Sequence, residues 1–296
     1  MTPFAIAGLQ MPVSALQENV TAMGQRLDLL MARYPWVQMV VFSELAAFGP
    51  LPQHAQPLPG PAEASFQAMA ARHGIWLLPG SLFEKKEGRI FNTAPVIDPR
   101  GQVIARYRKM FPFRPYESAT TPGSEFVVFD VPEVGRFGVS ICYDMWFPET
   151  TRTLAAMGAE VVLHPTLTDT LDRDVELAMC RAAAAQNQCY WIDVNGLGAG
   201  GVGRSVFVGP SGDVLHQAGG AEEVIPLEID IDRVRRERAV GLRGLGQPLK
   251  SFRDREVDFP VYDRESFDAG FLDSLGPLKL PQRPALGGEP RRRRVL

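Results

Sequence analysis

The chain has few of the features that mark secreted, membrane or nucleic-acid-binding proteins. It has only 3 cysteines among 296 residues, and an odd number at irregular spacing fits a reducing compartment better than a disulfide framework. No apolar run approaches the roughly 20 residues of a membrane-spanning helix, and residues 1–10 lack a secretory signal pattern. The net charge of -3 argues against a nucleic-acid binder, which needs a basic face. We therefore expect a cytoplasmic protein without a nucleic-acid or membrane partner.

Metal and phosphate sites are not indicated either. The 4 histidines (His54, His73, His164 and His216) show no metal-ligand spacing, such as two on one helical turn. The glycine-rich stretch 196–203 lacks the Lys-Ser/Thr ending and the following helix of a phosphate-binding loop, so we interpret its glycines as turn formers. We expect no metal and no cofactor.

The apolar content is sufficient for a large core. Hydrophobic residues make up 45% of the chain and no linker divides it, so we predict one domain over residues 1–240. Strands alternate with helices early and with turns late, which predicts an α/β fold with mixed sheets. Residues 241–296 change to Gly, Pro and charge. We predict a tail whose apolar residues pack on the body or on a partner subunit, and whose basic run 291–294 is solvated.

The elements follow from apolar periodicity and turn residues. The predicted helices cover residues 14–34, 62–73, 149–157 and 172–188, and the predicted strands cover 4–10, 39–42, 75–80, 91–98, 103–107, 137–142, 159–164, 189–195, 205–208, 213–217 and 224–229. The strands 91–98 and 103–107 flank Pro-Arg-Gly and are predicted to pair as an antiparallel hairpin.

Cys142 ends the apolar run 137–142 and begins a polar stretch. A thiol at the point where a buried strand breaks into a turn is held rigidly and can still reach a cleft, as a nucleophile requires. A free cysteine is more often a small core hydrophobe. We interpret Cys180 and Cys189 in that way, because neither has a charged partner at a strand end.

Two other apolar segments also end in a charged residue, namely Glu44 and Lys109. If their strands share one sheet and one direction with the Cys142 strand, the three side chains meet at its carboxyl edge. A carboxylate within reach can take the proton of a thiol, and an ammonium favours the thiolate. Glu44 is therefore the predicted base and Lys109 the electrostatic partner.

Three segments in this order resemble the carbon–nitrogen hydrolase (nitrilase) superfamily, in its amidase-like branch. They are Val-Phe-Ser-Glu at 41–44, Tyr-Arg-Lys at 107–109 and Ile-Cys-Tyr-Asp at 141–144, and the similarity extends over residues 4–232. The resemblance implies an αββα sandwich of two mixed sheets flanked by helices. It also implies Glu117 as a second carboxylate, which orients the lysine and a substrate amide or water; by itself Glu117 is equally a solvated loop acid.

The reaction that the resemblance implies is attack of the Cys142 thiolate on an amide carbonyl, followed by hydrolysis of the thioester. The Lys109 ammonium and the backbone N–H of Tyr143 are expected to hold the tetrahedral anion. Glu44 is expected to pass its proton to the leaving nitrogen and to take one from water.

The residues beside the nucleophile favour amides. Family members that hydrolyse nitriles typically have Trp-Glu after the cysteine, whereas amidases and carbamoyl hydrolases often have Tyr-Asp, as this chain does at Tyr143 and Asp144. The chain departs from many Tyr-Asp members at Trp146, where they have Arg, and at Gln186, where they have Glu. We predict an amide of a small carboxylic acid, with Trp146 as an apolar wall for the acyl part.

Several alternatives stay open. Arg114 either grips a substrate carboxylate or lies in solvent, and His164 either faces the cleft or is structural. The same catalytic residues also suit a nitrilase or an N-carbamoyl amide hydrolase, and a catalytically idle interaction protein is the alternative of another class. A homodimer or higher homo-oligomer is expected, because the family pairs through helical faces and symmetric dimers are common.

Overall fold

Two mixed sheets pack face to face and helices cover their outer faces. The structure is a computed structural model and describes residues 1–263 and 265–281. The elements of the first half are β1 (Pro3–Gln10), β2 (Pro12–Val13), α1 (Val20–Arg33), β3 (Met39–Phe42), α2 (Pro61–His73), β4 (Trp76–Leu78), β5 (Leu82–Lys86), β6 (Arg89–Ile97) and β7 (Val103–Arg108). The elements of the second half are β8 (Val128–Val131), β9 (Gly135–Val139), α3 (Pro148–Ala156), β10 (Val161–Thr166), α4 (Asp172–Asn187), β11 (Tyr190–Asn195), β12 (Leu197–Gly198), β13 (Gly201–Val202), β14 (Val206–Val208), β15 (Val214–Gln217), β16 (Glu223–Asp230), α5 (Ile231–Val240), α6 (Pro248–Arg253) and α7 (Gly270–Ser274).

The first sheet has the strand order β16-β1-β3-β4-β6-β5, with β7 paired to β6. Strand β1 is parallel to β3 and antiparallel to β16, so the sheet is mixed. The second sheet has the order β15-β14-β11-β10-β9-β8, and its central strands β9, β10 and β11 are parallel. A small third sheet joins β13, β12 and β2.

Side-chain alternation along the strands builds three apolar layers. Phe4 and Ile6 of β1 face the second sheet and pack with residues such as Phe137 and Ile192 in the central core. The neighbouring positions face the other way, toward α1 and α2, while α3 and α4 cover the outer face of the second sheet. The α/β sandwich of two mixed sheets that the sequence predicted is confirmed.

Helix boundaries follow local chemistry. Helix α2 begins at Pro61, whose missing N–H is harmless in the first turn, and ends at Gly74, which has a φ of 63°. Helix α1 begins at Val20 rather than at residue 14, because Asn19 closes a turn there: its side chain accepts from the Ser14 N–H at 2.9 Å.

Strands β5 and β8 and helix α5 were not predicted from the sequence. Strand β5 ends in the exposed charged residues Lys85 and Lys86, and α5 buries only Ile231 and Val234 among polar neighbours. Apolar periodicity is too weak in such segments to be read without the partner elements.

The described part of the tail contacts the body along α3. The Tyr262 hydroxyl donates to Glu149 at 3.0 Å, and the Arg152 guanidinium lies 5.2 Å from the centre of the Phe252 ring. The predicted contact with a partner subunit stays a prediction, and the basic run 291–294 lies outside the described residues. Within the described ranges, the helices are all too short or too polar to cross a bilayer.

Candidate active site

Glu44 and Lys109 lie at the same edge of the first sheet. Glu44 follows β3 and Lys109 follows β7. Strands β3 and β4 are parallel, and two successive antiparallel pairings, through β6, give β7 the same direction as β3. The carboxyl ends of β3 and β7 therefore point to one edge, as the strand-end pattern predicted.

Cys142 comes from the other sheet, at the end of β9. The condition that the three strands share one sheet is therefore not met, and the Cys142 side chain meets Glu44 across the sandwich. The Glu44 N–H donates to the carbonyl of Thr166, which ends β10, at 3.2 Å. Since β10 is the parallel neighbour of β9, this bond fixes the carboxyl edges of the two sheets against each other.

The lysine lies between two carboxylates. The Lys109 Nζ is 2.8 Å from Oε1 of Glu44 and 3.0 Å from Oε2 of Glu117. The Asn92 amide also donates to Oε1 of Glu44, at 2.7 Å, and the Phe113 backbone N–H donates to Glu117. The geometry fixes both carboxylates and leaves the Lys109 ammonium one N–H donor beyond these two bonds.

Burial controls the protonation states in this group. It raises the pKa of Glu44, which the Lys109 charge counteracts. The pKa of Lys109 lies well above its ordinary value, because the charges of its acidic neighbours outweigh the effect of burial. Burial and then the Glu44 charge raise the pKa of the Cys142 thiol well above its usual range, although Lys109 lowers it. The resting thiol is therefore protonated and lies close to a base that can take its proton.

The nucleophile turn has a distinct backbone conformation. Cys142 has a φ of 45°, in the left-handed region of backbone conformation that residues other than glycine rarely adopt. Such turns expose a nucleophile at a strand end. The Cys142 Sγ lies 3.6 Å from the Leu167 carbonyl oxygen, and 7% of the residue's surface is exposed. The side chain of Glu117 is 17% exposed whereas that of Lys109 is 2% exposed, so solvent reaches the group at Cys142 and Glu117.

Aromatic side chains form a row beside the nucleophile. The Tyr143 ring centre is 5.0 Å from that of Phe113 and 6.0 Å from that of Trp146, and Phe113 stacks on Tyr116 at 5.1 Å. Trp146 also lines a groove with residues of α3 and α4, such as Met179. The Trp146 ring therefore contacts Tyr143 on one side and the outer helices on the other.

Arg114 and His164 both have protein partners. The Arg114 guanidinium donates to the carbonyls of Ser118, at 2.9 Å, and Thr120, at 2.8 Å, and so closes its own loop. His164 is fully buried, with Nδ1 3.2 Å from the Ser140 hydroxyl oxygen. Burial lowers the pKa of His164 to about 3, so the ring is neutral. These contacts favour a structural role for both residues.

The sequence reasoning missed two polar side chains of this site. Asn92 is fully buried and holds Glu44, and Asp144 is fully buried with four hydrogen-bond donors around it. A polar residue within the apolar run 90–97 was the available signal for Asn92. Asp144 appeared only as part of the family pattern. The described residues hold no cluster of three or more potential metal ligands from His, Cys, Asp and Glu.

Comparisons with known proteins agree on one family. The family model described as carbon-nitrogen hydrolase matches residues 5–239. The omega-amidase NIT2 of Homo sapiens is 27% identical over 276 residues, which cover 87% of this chain and 97% of that protein. A nitrilase of Pyrococcus abyssi is 32% identical over 212 residues, covering 69% and 76% of the two chains.

Solved structures show the same architecture. A carbon-nitrogen hydrolase from Helicobacter pylori G27 has a TM-score of 0.76 at 27% identity, and the match covers 90% of this chain and 98% of that chain. A mutant amidase from Nesterenkonia sp. AN1 has a TM-score of 0.70 at 26% identity, with 79% and 93% covered. That structure shows covalent addition of an acetamide moiety at its active-site cysteine.

Proposed function

Because the chain belongs to the carbon-nitrogen hydrolase family, we propose that it hydrolyses the amide of a small carboxylic acid through a thioester on Cys142. Family membership confirms the resemblance drawn from the sequence, and the chain is an amidase-type hydrolase of carbon–nitrogen bonds. One observation carries the proposal: the buried ion pairs of Lys109 with Glu44 and Glu117 lie beside a thiol on a strained turn.

Acylation begins with proton transfer from the Cys142 thiol to Glu44 as the sulfur attacks the amide carbonyl. The C–S bond forms and the carbonyl electrons move to oxygen, which gives a tetrahedral anion. The C–N bond then breaks, and protonated Glu44 gives its proton to the leaving nitrogen. The products of this half-reaction are the thioester and ammonia or an amine.

Deacylation uses Glu44 again, first as the base for water and then as the acid for the sulfur. Glu44 takes a proton from water as the water oxygen attacks the thioester carbonyl, and the C–S bond breaks when the tetrahedral anion collapses. The proton on Glu44 returns to the sulfur, which restores the resting thiol. Glu117 also binds Lys109 and is more exposed than Glu44, which supports a role for Glu117 in orienting the substrate nitrogen or the water.

The anion requires donors that are in place before the reaction. Two acceptors already engage the Lys109 ammonium, and its remaining N–H is available for the substrate oxygen. The backbone N–H of Tyr143, directly after the nucleophile, is the second proposed donor. Because the lysine is held by two carboxylates, the substrate oxygen meets a fixed charge.

The surroundings of the site support a neutral, apolar acyl group. The Arg114 guanidinium already binds two loop carbonyls, and Glu44 and Glu117 would repel a carboxylate on the substrate. Tyr143 and Phe113 present aromatic surface next to the nucleophile. We therefore propose small aliphatic or aromatic amides as substrates, with nitriles and N-carbamoyl compounds as the alternative on the same residues.

We further propose a cytoplasmic homodimer or higher homo-oligomer in which residues 241–296 form a tail on the domain of residues 1–240. A cavity of about 500 Å³ separates α3 and α4 from the aromatic residues of the tail. Phe271, Leu272 and Leu275 are 76%, 51% and 67% exposed. A cluster of this kind supports burial against another subunit.

Ammonia release from a substrate panel tests the proposal. The panel contains small aliphatic and aromatic primary amides, amides bearing a free carboxylate, N-carbamoyl compounds and nitriles. We expect the highest kcat/KM for the neutral amides, because the Arg114 guanidinium already donates to two loop carbonyls and two carboxylates lie at the site. Preference for a nitrile or a carbamoyl compound would replace the amidase proposal. No turnover together with slow iodoacetamide labelling of Cys142 would favour the idle protein.

The role of Trp146 gives a separate prediction. We expect Trp146→Arg to lower kcat/KM for aromatic amides relative to acetamide by about tenfold, since even one methylene group in an apolar pocket is worth about 10–200-fold. The measurement is kcat/KM on both amides, with Tm as a check on stability. Trp36→Arg, at a tryptophan that is 49% exposed, is the matched control and should leave the ratio unchanged. An unchanged ratio in Trp146→Arg would remove Trp146 from the acyl pocket.

A further inference from the structure

A buried carboxylate joins the turn that presents the nucleophile to the turn that presents the lysine. Oδ2 of Asp144 accepts from the Ile141 backbone N–H at 2.9 Å and from the Tyr107 hydroxyl at 2.6 Å. Oδ1 accepts from the backbone N–H groups of Met110 and Phe111, at 3.1 and 2.9 Å. The Asp144 carboxylate therefore binds one donor next to Cys142, the Ile141 N–H, and three donors next to Lys109, from Tyr107, Met110 and Phe111.

The same residue closes the turn around the nucleophile. Its backbone N–H donates to the Ile141 carbonyl at 3.0 Å, while its side chain accepts from the Ile141 N–H. Cys142 lies between these two residues, with its φ of 45°. A side chain in this backbone region is under strain and stays there only when its surroundings hold it. Two hydrogen bonds between Ile141 and Asp144 supply that constraint.

The free-energy cost of burying this carboxylate indicates that it has a role in holding the two turns at a fixed distance. Asp144 has no exposed surface, and an ionised carboxylate is expensive to bury unless its oxygens are fully hydrogen-bonded. Burial raises the pKa of Asp144 to about 6, even though the Tyr107 hydroxyl and the backbone N–H groups lower it. The carboxylate is charged at neutral pH, which lets all four donors be accepted together.

We infer that Asp144 is a positioning residue that sets the distance between the Cys142 sulfur and the Lys109–Glu44 pair across the two sheets. It acts through backbone N–H groups and the Tyr107 hydroxyl, and, having no exposed surface, it does not contact the substrate. The inference rests on the proposed function, because Asp144 matters only if Cys142, Glu44 and Lys109 act as nucleophile, base and oxyanion donor. Small displacements of reacting groups reduce rates more than they reduce binding.

Asp144→Asn tests the inference, because the amide keeps the shape but turns a donor toward two of the four N–H or O–H groups. We expect kcat to fall about 100-fold with KM within about threefold of wild type, as for loss of alignment in the transition state. Asp98→Asn is the matched control. Asp98 is also buried and accepts two backbone N–H groups, at 2.9 and 2.8 Å, but in the turn after β6, at the end of β7 opposite Lys109. Equal kcat values in the two variants, per folded molecule, would overturn the inference.

A second pair of variants covers the case in which Asp144→Asn fails to fold. Tyr107→Phe removes one donor to Asp144 and leaves the three backbone donors, so kcat should fall about three- to tenfold. Tyr190→Phe removes a buried hydroxyl bonded to the Asp230 carbonyl at 3.0 Å, remote from the site, and should leave kcat unchanged. Equal kcat values for the two variants would overturn the inference.

Alkylation of Cys142 by iodoacetamide separates this inference from the proposed function. The reaction needs the thiol near its base but needs no amide substrate. We expect slower alkylation in Asp144→Asn than in Asp98→Asn. That result in a protein without amide turnover would refute the proposed function and support the positioning role. Equal or faster alkylation in Asp144→Asn would overturn the positioning role whatever the substrate.

Discussion

Cys142→Ala should abolish amide turnover and leave the fold intact. Loss of the sulfur removes the atom on which the proposed thioester forms, so we expect kcat to fall at least about 10⁴-fold, as for other covalent nucleophiles. The side chain is small and alanine experiences the same backbone strain, so the Tm should change by only a few degrees. Ammonia release and thermal unfolding of the same preparations provide the measurement.

Cys189→Ala is the control for this variant. Cys189 is also buried, and burial raises the pKa of its thiol to about 11, but no acid or lysine of the site lies beside it. It should keep full turnover. Turnover that persists in Cys142→Ala would show that another group attacks the amide, and the mechanism proposed above would fail at its first step.

Lys109→Met should strongly reduce turnover and also destabilise the protein. The change leaves the carboxylates of Glu44 and Glu117 without the ammonium that lies 2.8 and 3.0 Å away. Breaking a buried ion pair by removing one partner typically costs about 3–5 kcal/mol of unfolding free energy. Loss of the oxyanion donor should lower kcat by about 10²–10³-fold in addition. Urea unfolding and steady-state kinetics measure the two effects.

The loss of stability should depend on pH in a known direction. Burial already raises the pKa of Glu44, and without the lysine charge this pKa rises further. A carboxyl whose folded pKa exceeds its unfolded pKa contributes stability at low pH that is lost as the pH rises through the folded pKa. Lys109→Met should therefore be closer to wild type at pH 5 than at pH 8.

Two further variants make this result specific. Lys85→Met removes an exposed lysine from the end of β5 and should change neither stability nor rate. Adding Glu117→Gln to Lys109→Met removes one of the two orphaned charges, so the double variant should recover part of the lost stability. A Lys109→Met protein as stable as wild type at pH 8 would contradict the buried ion-pair arrangement.

The sequence predicted the elements that carry the proposed chemistry because each proposed catalytic residue follows a segment with apolar residues. Glu44, Lys109 and Cys142 were identified at strand ends, and the parallel direction of β3 and β7 agrees with that pattern. The origin of Cys142 in a second sheet was not predictable from the pattern. Strand pairing joins segments that are far apart in the chain, and apolar alternation does not encode which strands become neighbours.

The supporting residues were harder to predict for a different reason. Asn92 donates a hydrogen bond to a group 48 positions away in the chain. Asp144 accepts hydrogen bonds from groups 33–37 positions away. A sequence pattern shows that a buried segment contains a polar residue, but not which partner satisfies it. Arg114 presents the reverse case: its chemistry suits a substrate carboxylate, while the fold supplies two carbonyls of its own loop.

The division of the site between two sheets means that the proposed catalytic group exists only when both sheets are packed together. The first sheet carries Glu44 and Lys109 and the second carries Cys142, so neither sheet alone brings the three side chains together. Loosening of the apolar core between the two sheets should abolish activity before any secondary structure is lost.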